Sequence, residues 1–364
     1  MKKIVYMISS LKNNGPNKVL SGMINGIDKN KYEVYVISFL KDNDLAYIES
    51  LKQKVKKVYC INFNSKVDFL FHGVNKTKTI LNEITPDIIH SHGLLPDFVN
   101  SKLKTNAKKV STIHNNMFED YYYSFGKLKS VFIIKWHLMI LKKIDMCVCC
   151  SSNSYSMLKK YISKITYIRN SVFDKKIEDK VYQMNREQIR KKYNIDLGDI
   201  VYIYAGNISK LKRCEELVSS FNNTLGKNEF LFILGSGELE KSIRDLINNK
   251  NIIFVGFTQK VKEYMCASDI YTSFSSSEGF SISVLEALEY NNLLLLNDIP
   301  SHKEIFTISN NYYIGEYFDS DNFQEMKIKV AKKVKKSNVD PIRFIENNLS
   351  SKIMMEEYSK IYNN

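Results

Sequence analysis

The chain has 364 residues, 44% hydrophobic and 25% charged, with a formal net charge of +14. These values exclude a disordered or fibrous protein, and the length exceeds what one core fills, so two domains of roughly 150–180 residues are expected. The charge is one-sided: residues 1–168 carry 26 Lys and no Arg against 12 Asp or Glu, whereas residues 169–364 carry 27 of each sign.

Lys2 and Lys3 run directly into a strand-like segment with no cleavage signal behind it, so a cytoplasmic protein is expected. Strands are predicted at Lys3–Ser9, Glu33–Phe39, Val55–Ile61, Asp87–His92, Lys109–His114, Asp145–Ser151 and Ile165–Asn170. Helical patterns fill the gaps, for example Val19–Ile27, Leu45–Gln53 and Phe69–Ile84. A polar, charged stretch runs from Asp174 to Asp199. The alternation then restarts at Val201–Ala205, Phe230–Leu234, Ile252–Val255, Asp269–Phe274 and Leu293–Asn297, and Ile342–Tyr362 closes the chain with a helical pattern. Nearly continuous apolar strands alternating with helices predict two doubly wound parallel sheets, covered on both faces. In such folds ligands bind beyond the carboxyl ends of the strands.

Two stretches stand apart. Residues 117–144 combine Tyr121, Tyr122, Tyr123, Phe125, Phe132, Trp136 and Leu138 with Lys127, Lys129, Lys135, Lys142 and Lys143. That composition suits a helix lying in a membrane interface or holding a lipid acceptor, and equally a helix packed on the sheet with a basic outer face. Val131–Leu141, with Lys135 and His137 inside it, is too short to span a bilayer. Cys147 and Cys150 have C-x-x-C spacing, but no second pair exists and the run reads as a buried strand, so reduced core thiols are expected rather than a metal or redox site. His90 and His92 share a strand face without a third ligand in the pattern.

The segment Glu278-Gly-Phe-Ser-Ile-Ser-Val-Leu-Glu286 places two carboxylates at a strand-to-helix junction. A strand that stops there leaves backbone N–H groups at the helix start for an anion or hydroxyls. Neither half carries a full dinucleotide glycine fingerprint: Gly15 stands alone before Pro16, and Gly235 and Gly237 lack a third partner.

With these motifs in view, the chain resembles the retaining glycosyltransferases of family four. Glu278–Glu286 resembles their E-x7-E element, and Ala205-Gly-Asn-Ile-Ser-Lys-Leu-Lys212 resembles their G-R-L-x-x-x-K element. Leu234–Gly237, Val255–Phe257 and Asn297–Glu304 follow in the family's order, and Asp87–His92 and Thr112–His114 resemble its strand ends in the first half. The resemblance implies a GT-B fold, two Rossmann-like doubly wound parallel-sheet domains facing across a cleft: an acceptor domain over 1–170, a nucleotide-sugar domain over 171–341, and a helix over 342–364 crossing back.

It further implies a metal-independent, retaining transfer of a hexose-type sugar, with no cofactor other than a nucleoside-diphosphate sugar, UDP-linked, as co-substrate. Lys212, Glu278 and His114 would carry the chemistry. Gly15, Gly206, Asn207, Arg213, Gly235, Phe257, Gly279, Phe280, Ser281 and Glu286 would line the donor site. In this assignment Lys212 stabilises the departing diphosphate, Glu278 accepts from sugar hydroxyls, Glu286 holds the ribose, and His114 lies beside the sugar. Asn207 stands where the family usually has Arg, and Arg213 or Lys210 is the substitute cation within reach. The implied acceptor is a glycan, lipid-linked, of a bacterial capsule, lipopolysaccharide or teichoic acid, and the implied setting is the inner membrane face with an anionic surface as partner. An epimerase or phosphorylase of the same architecture is the alternative enzyme. A nucleic-acid-binding module, suggested by the basic half, is opposed by the absence of Arg before residue 169.

Overall fold

The computed structural model describes residues 1–41, 43–172, 176–334 and 340–363. The chain divides into two compact units, Met1–Asp174 with Leu349–Asn364, and Lys175–Asn348.

The first unit holds seven strands: β1 Lys2–Ile8, β2 Tyr32–Leu40, β3 Lys57–Phe63, β4 Ile88–His92, β5 Lys108–Ile113, β6 Met146–Cys149 and β7 Ile165–Tyr167. They pair in the order β3-β2-β1-β4-β5-β6-β7, every pair parallel. Residues Ile4–Met7 are fully buried, as continuous apolar strands covered on both faces require. The helices begin where polar side chains cap them: Asn14 accepts from Asn17 N–H ahead of Gly15–Gly26, and Ser65 from Asp68 N–H ahead of Lys66–Ile84.

The final helix, Ser351–Asn363, belongs to this unit. It packs on Gly15–Gly26 so closely that a Cβ at Gly26 would lie 2.2 Å from the Ser351 carbonyl oxygen. The single closing helix read from the sequence is therefore two helices, Pro341–Asn348 in the second unit and Ser351–Asn363 in the first.

The second unit has β8 Ile200–Ala205, β9 Glu229–Leu234, β10 Ile252–Gly256, β11 Ile270–Ser273, β12 Leu293–Asn297 and β13 Gly315–Phe318, ordered β10-β9-β8-β11-β12-β13 and again all parallel. The four leucines of β12 are each 3% exposed or less, worth about 1.5–3 kcal/mol apiece on burial. β13 was not anticipated. It is a four-residue edge strand entered through Gly315 (φ 143°), where a Cβ would lie 2.0 Å from the Leu294 carbonyl oxygen.

The polar, charged stretch begins at Asp174, outside the described residues, and most of the rest of it is a helix, Asp179–Lys192. Arg190 of that helix is buried and clamps Asp269, whose carboxylate also accepts from Arg186 and from Val201 N–H at the start of β8. A second departure concerns Met117–Leu141, which is not one straight helix: Gly126 breaks it at φ 75°, ψ 169°. Among the described residues no helix is long and apolar enough to cross a membrane.

Candidate functional site

In the second unit the parallel sheet brings every strand's carboxyl end to one edge. β8 ends at Ala205 and leads through Gly206 and Asn207 to a short 3-10 turn, Lys210–Lys212. The loop after β9 lies against it: Gly206 N–H donates to Leu234 O at 3.0 Å, and Ile208 N–H to Ser236 O at 3.0 Å. Gly235 (φ 135°) and Gly237 permit that approach, since a Cβ on Gly235 would stand 1.8 Å from the Gly206 carbonyl oxygen and one on Gly237 2.2 Å from that of Ile208.

Beyond β11 the chain turns through Ser275–Ser281. Ser276 donates from both N–H and hydroxyl to the Leu211 carbonyl, at 2.9 Å each, and so ties this loop to the turn that carries Lys212. The result is a short ion pair, Lys212 Nζ to Glu278 Oε1 at 2.5 Å, with side chains 22% and 13% exposed. Ser275 Oγ donates to the same oxygen at 2.7 Å. Burial works to raise the Glu278 pKa, but the Lys212 ammonium and the Ser275 hydroxyl outweigh it and hold the carboxyl below its usual range. Glu278 is therefore an anion near neutrality, suited to accepting hydrogen bonds and unsuited to donating a proton.

His302 completes the wall. Its Nδ1 lies 2.9 Å from the Asn297 carbonyl, which only accepts, so Nδ1 carries the proton. Burial lowers its pKa against the pull of Glu278, which leaves Nε2 bare, and Nε2 is buried with no described partner. Asn297 in turn donates from Nδ2 to the Ser275 carbonyl at 2.8 Å.

The helix Ile282–Glu289 opens at Ser281 with no side-chain cap, so N–H groups of its first turn remain available at the same edge. Gly279 precedes it, and Glu286 sits half-buried on the helix's second turn. Phe280 is a core side chain, so only its backbone is placed to touch a ligand. Phe257, just beyond β10, is the reverse: its ring is 76% exposed. Asn207 is exposed, and its carbonyl oxygen accepts from Tyr204 OH at 2.8 Å. Arg213 does not turn toward Lys212; its guanidinium grips Glu216 three residues on.

Gly15 and His114 lie in the first unit. Gly15 opens the helix Gly15–Gly26 just past the carboxyl end of β1, capped by Asn14. His114 follows β5, and its Nε2 is 2.8 Å from His92 Nδ1, the rings stacked at 5.1 Å. His90 stacks on His92 at 4.6 Å and is held by Tyr362 OH at 2.7 Å and Thr112 Oγ1 at 2.8 Å. Burial lowers His90 to about 3 and His114 to about 4, so both are neutral near pH 7. His90 is thus a structural group that anchors the final helix. Among the described residues no three His, Cys, Asp or Glu side chains gather to hold a metal. None of the six cysteines is in a disulfide; Cys147, Cys149 and Cys150 are buried on and after β6, and burial pushes the first two thiols up.

Sequence reasoning found Lys212 and Glu278 as separate motifs but not their bond. Ser275 and His302 were missed as partners of Glu278; the only sequence signal was their place inside segments already noted, Asp269–Phe274 with its following serines and Asn297–Glu304.

Comparison with known proteins agrees with this layout. The model of the "Glycosyltransferase Family 4" matches residues 13–174, and that of "Glycosyl transferases group 1" matches residues 185–348. The O-antigen biosynthesis glycosyltransferase WclY of Escherichia coli is 27% identical over 84% of this chain and 82% of its own. The capsular polysaccharide biosynthesis glycosyltransferase CapM of Staphylococcus aureus is 22% identical over 100% and 97%. The crystal structure of Anabaena HepE with UDP and glucose superposes with a TM-score of 0.78 over the whole of both chains at 13% identity, a likeness of fold alone, and that fold is GT-B.

Proposed function

Because the chain belongs to glycosyltransferase family four and is a glycosyltransferase of polysaccharide biosynthesis, we propose that it moves a hexose-type sugar from a UDP-linked donor, with retention and without a metal, to a lipid-linked glycan of a bacterial capsule, lipopolysaccharide or teichoic acid. The observation that carries this reading is the Lys212–Glu278 pair at the strand edge of the second unit, flanked by the uncapped helix start at Ser281. Breaking the bond to a nucleoside diphosphate builds negative charge on the leaving phosphate. Lys212 answers it as a point charge: one of its three N–H donors meets Glu278, and a diphosphate oxygen takes another. The first-turn N–H groups after Ser281 add a second positive end.

Glu278, held ionised, accepts from sugar hydroxyls, and Glu286 from the ribose. The exposed Phe257 ring offers a stacking face for the base. Retention follows in this reading from the departing phosphate oxygen taking the acceptor's proton on the same face, so no enzyme nucleophile is needed. His114, neutral near pH 7, is a positioning group for sugar hydroxyls and not a proton donor. The surface partner is the anionic inner face of the membrane that carries the acceptor. Curated relatives named for O-antigen and capsule synthesis support the substrate class, and the HepE complexes with UDP support the base.

The test is a thermal-shift panel of UDP-, GDP- and ADP-sugars followed by donor hydrolysis with Lys212→Ala and Glu286→Ala. A rise in melting temperature confined to UDP-sugars, with hydrolysis lost in both variants, is the expected result. Wild-type hydrolysis in both variants overturns the site.

A further inference from the structure

Tyr121 Oη lies 2.8 Å from His137 Nδ1 although the residues are sixteen apart in sequence. In one straight helix that separation would be about 24 Å at ~1.5 Å per residue. The segment Met117–Leu141 is therefore a helical hairpin, folded back on itself at Gly126, whose φ of 75° and ψ of 169° no helix contains. The two legs are pinned at one level by a buried chain: Tyr121 to His137, His137 Nε2–H to Asp97 Oδ2 at 2.9 Å, and Ser91 Oγ to Asp97 Oδ1 at 2.6 Å.

On the second leg Ser130 is 3% exposed, Ile133 and Ile134 pack against the core and the Trp136 ring meets Phe98 at 5.7 Å, whereas the turn itself faces water. Every residue from Tyr122 to Lys129 is exposed, and Leu128 and Phe132 are 80% and 74% exposed. An aromatic and aliphatic tip (Tyr122, Tyr123, Phe125, Leu128, Val131, Phe132) stands away from the core, where burial would be worth most to it. The lysines at 127, 129 and 135 interleave with it, and no Asp or Glu occurs between Tyr121 and Ile144.

We infer that this hairpin tip is a docking element that enters the headgroup layer of an anionic lipid bilayer, the apolar side chains inserting and the lysines meeting lipid phosphates. The charge pattern selects this occupant. A second copy of the chain would bring two lysine-bearing tips together in a symmetric contact, which like charges oppose. A nucleic acid would leave Leu128, Val131 and Phe132 in water. A bilayer satisfies both the apolar and the cationic sets, as for interfacial amphipathic segments in general. The inference deepens the membrane-partner reading above, and its geometry stands independently of any transfer chemistry.

The experiment is co-sedimentation of the full chain with phosphatidylcholine vesicles containing or lacking phosphatidylglycerol, at low and high salt. The variants are Leu128→Ser with Phe132→Ser, and Lys127→Glu with Lys129→Glu. The wild type should bind only the vesicles with phosphatidylglycerol, less so in high salt. Each variant should lower the partition coefficient about tenfold or more, with an unchanged melting temperature and unchanged UDP-sugar hydrolysis in solution. A wild type that stays in the supernatant overturns the inference. So does a serine variant that binds as the wild type does, or one that only shifts a dimer to monomer. Vesicle binding without any nucleotide-sugar hydrolysis leaves the docking surface standing and removes the transferase reading instead.

Discussion

Lys212 Nζ and Glu278 Oε1 are 2.5 Å apart on loops that follow two neighbouring strands, β8 and β11, and that join through Ser276 and the Leu211 carbonyl. The carboxylate partly cancels the cation that the leaving phosphate needs. Glu278→Gln keeps the shape and removes the cancellation, so we expect it to bind nucleoside diphosphate about tenfold more tightly while slowing transfer, because the sugar hydroxyls lose their anionic acceptor. Lys212→Ala should weaken the same ligand about tenfold or more. Titration calorimetry with UDP separates the two, and equal affinities in both variants would refute a shared electrostatic role.

Acid should destabilise the first unit through its buried histidines. Burial lowers His90 from its ordinary 6.5 to about 3 in the fold, so the unfolded chain binds the extra proton. Its stabilising contribution is complete above pH 6.5 and falls by about 1.4 kcal/mol per pH unit as pH drops toward 3. Glu278, lowered below 4.5, adds a loss in the same direction in the second unit at still lower pH. Trp136, the only tryptophan, lies in the first unit and reports it selectively by fluorescence. Urea midpoints followed at Trp136 should fall between pH 7 and pH 5, and His90→Gln should flatten that slope; an unchanged slope would show that His90 does not titrate below its ordinary range.

Much of this was legible from sequence because buried parallel strands are nearly continuous apolar runs; twelve of them, from Lys3–Ser9 to Leu293–Asn297, overlap observed strands. β13 escaped because Gly315-Glu-Tyr-Phe318 is an edge strand with only its ends buried. The helix Asp179–Lys192 escaped because it buries little beyond Ile189 and Arg190, so its pattern is almost wholly polar. The hairpin at Gly126 escaped for another reason: a lone glycine inside a helical pattern is usually tolerated, and the Tyr121–His137 bond that makes it a turn is long-range. Lys212 and Glu278 were visible as residue types at motif positions, but Ser275 and His302 join Glu278 only through tertiary closure of the β11 and β12 loops.

Gly22 and Gly26 make the final helix possible. A Cβ on Gly22 would lie 2.4 Å from the Ser171 carbonyl oxygen and 3.2 Å from Ser351 Oγ. Gly→Ala inside a helix ordinarily gains about 0.5–1 kcal/mol. Gly22→Ala should reverse that sign and cost about 1–3 kcal/mol, because the Ser171 backbone must move and the Ser351 hydroxyl must give way. Hydrogen exchange of Ser351–Asn363 should quicken selectively; a stabilised variant would show that the close approach is not maintained in solution.

Arg190 tests the second unit. Its guanidinium is buried and gives Nη2 to Asp269 Oδ2 at 2.7 Å, Nε to the Ala267 carbonyl at 2.9 Å and Nη1 to the Asp196 carbonyl at 2.7 Å. Removing one partner of a buried pair leaves the other charge uncompensated, so Arg190→Met should cost about 3–5 kcal/mol. Arg190→Lys should cost nearly as much, since an ammonium cannot span the fork that these three acceptors define. Arg186→Met should cost less, because Arg186 is partly solvated and Asp269 keeps its bonds from Arg190 and Val201 N–H. Far-UV circular dichroism in urea, read on the transition that Trp136 does not report, gives the order Arg190→Met, Arg190→Lys, Arg186→Met; a fully tolerated lysine would mean that charge alone, and not the three-way geometry, holds the Asp179–Lys192 helix to β8 and β11.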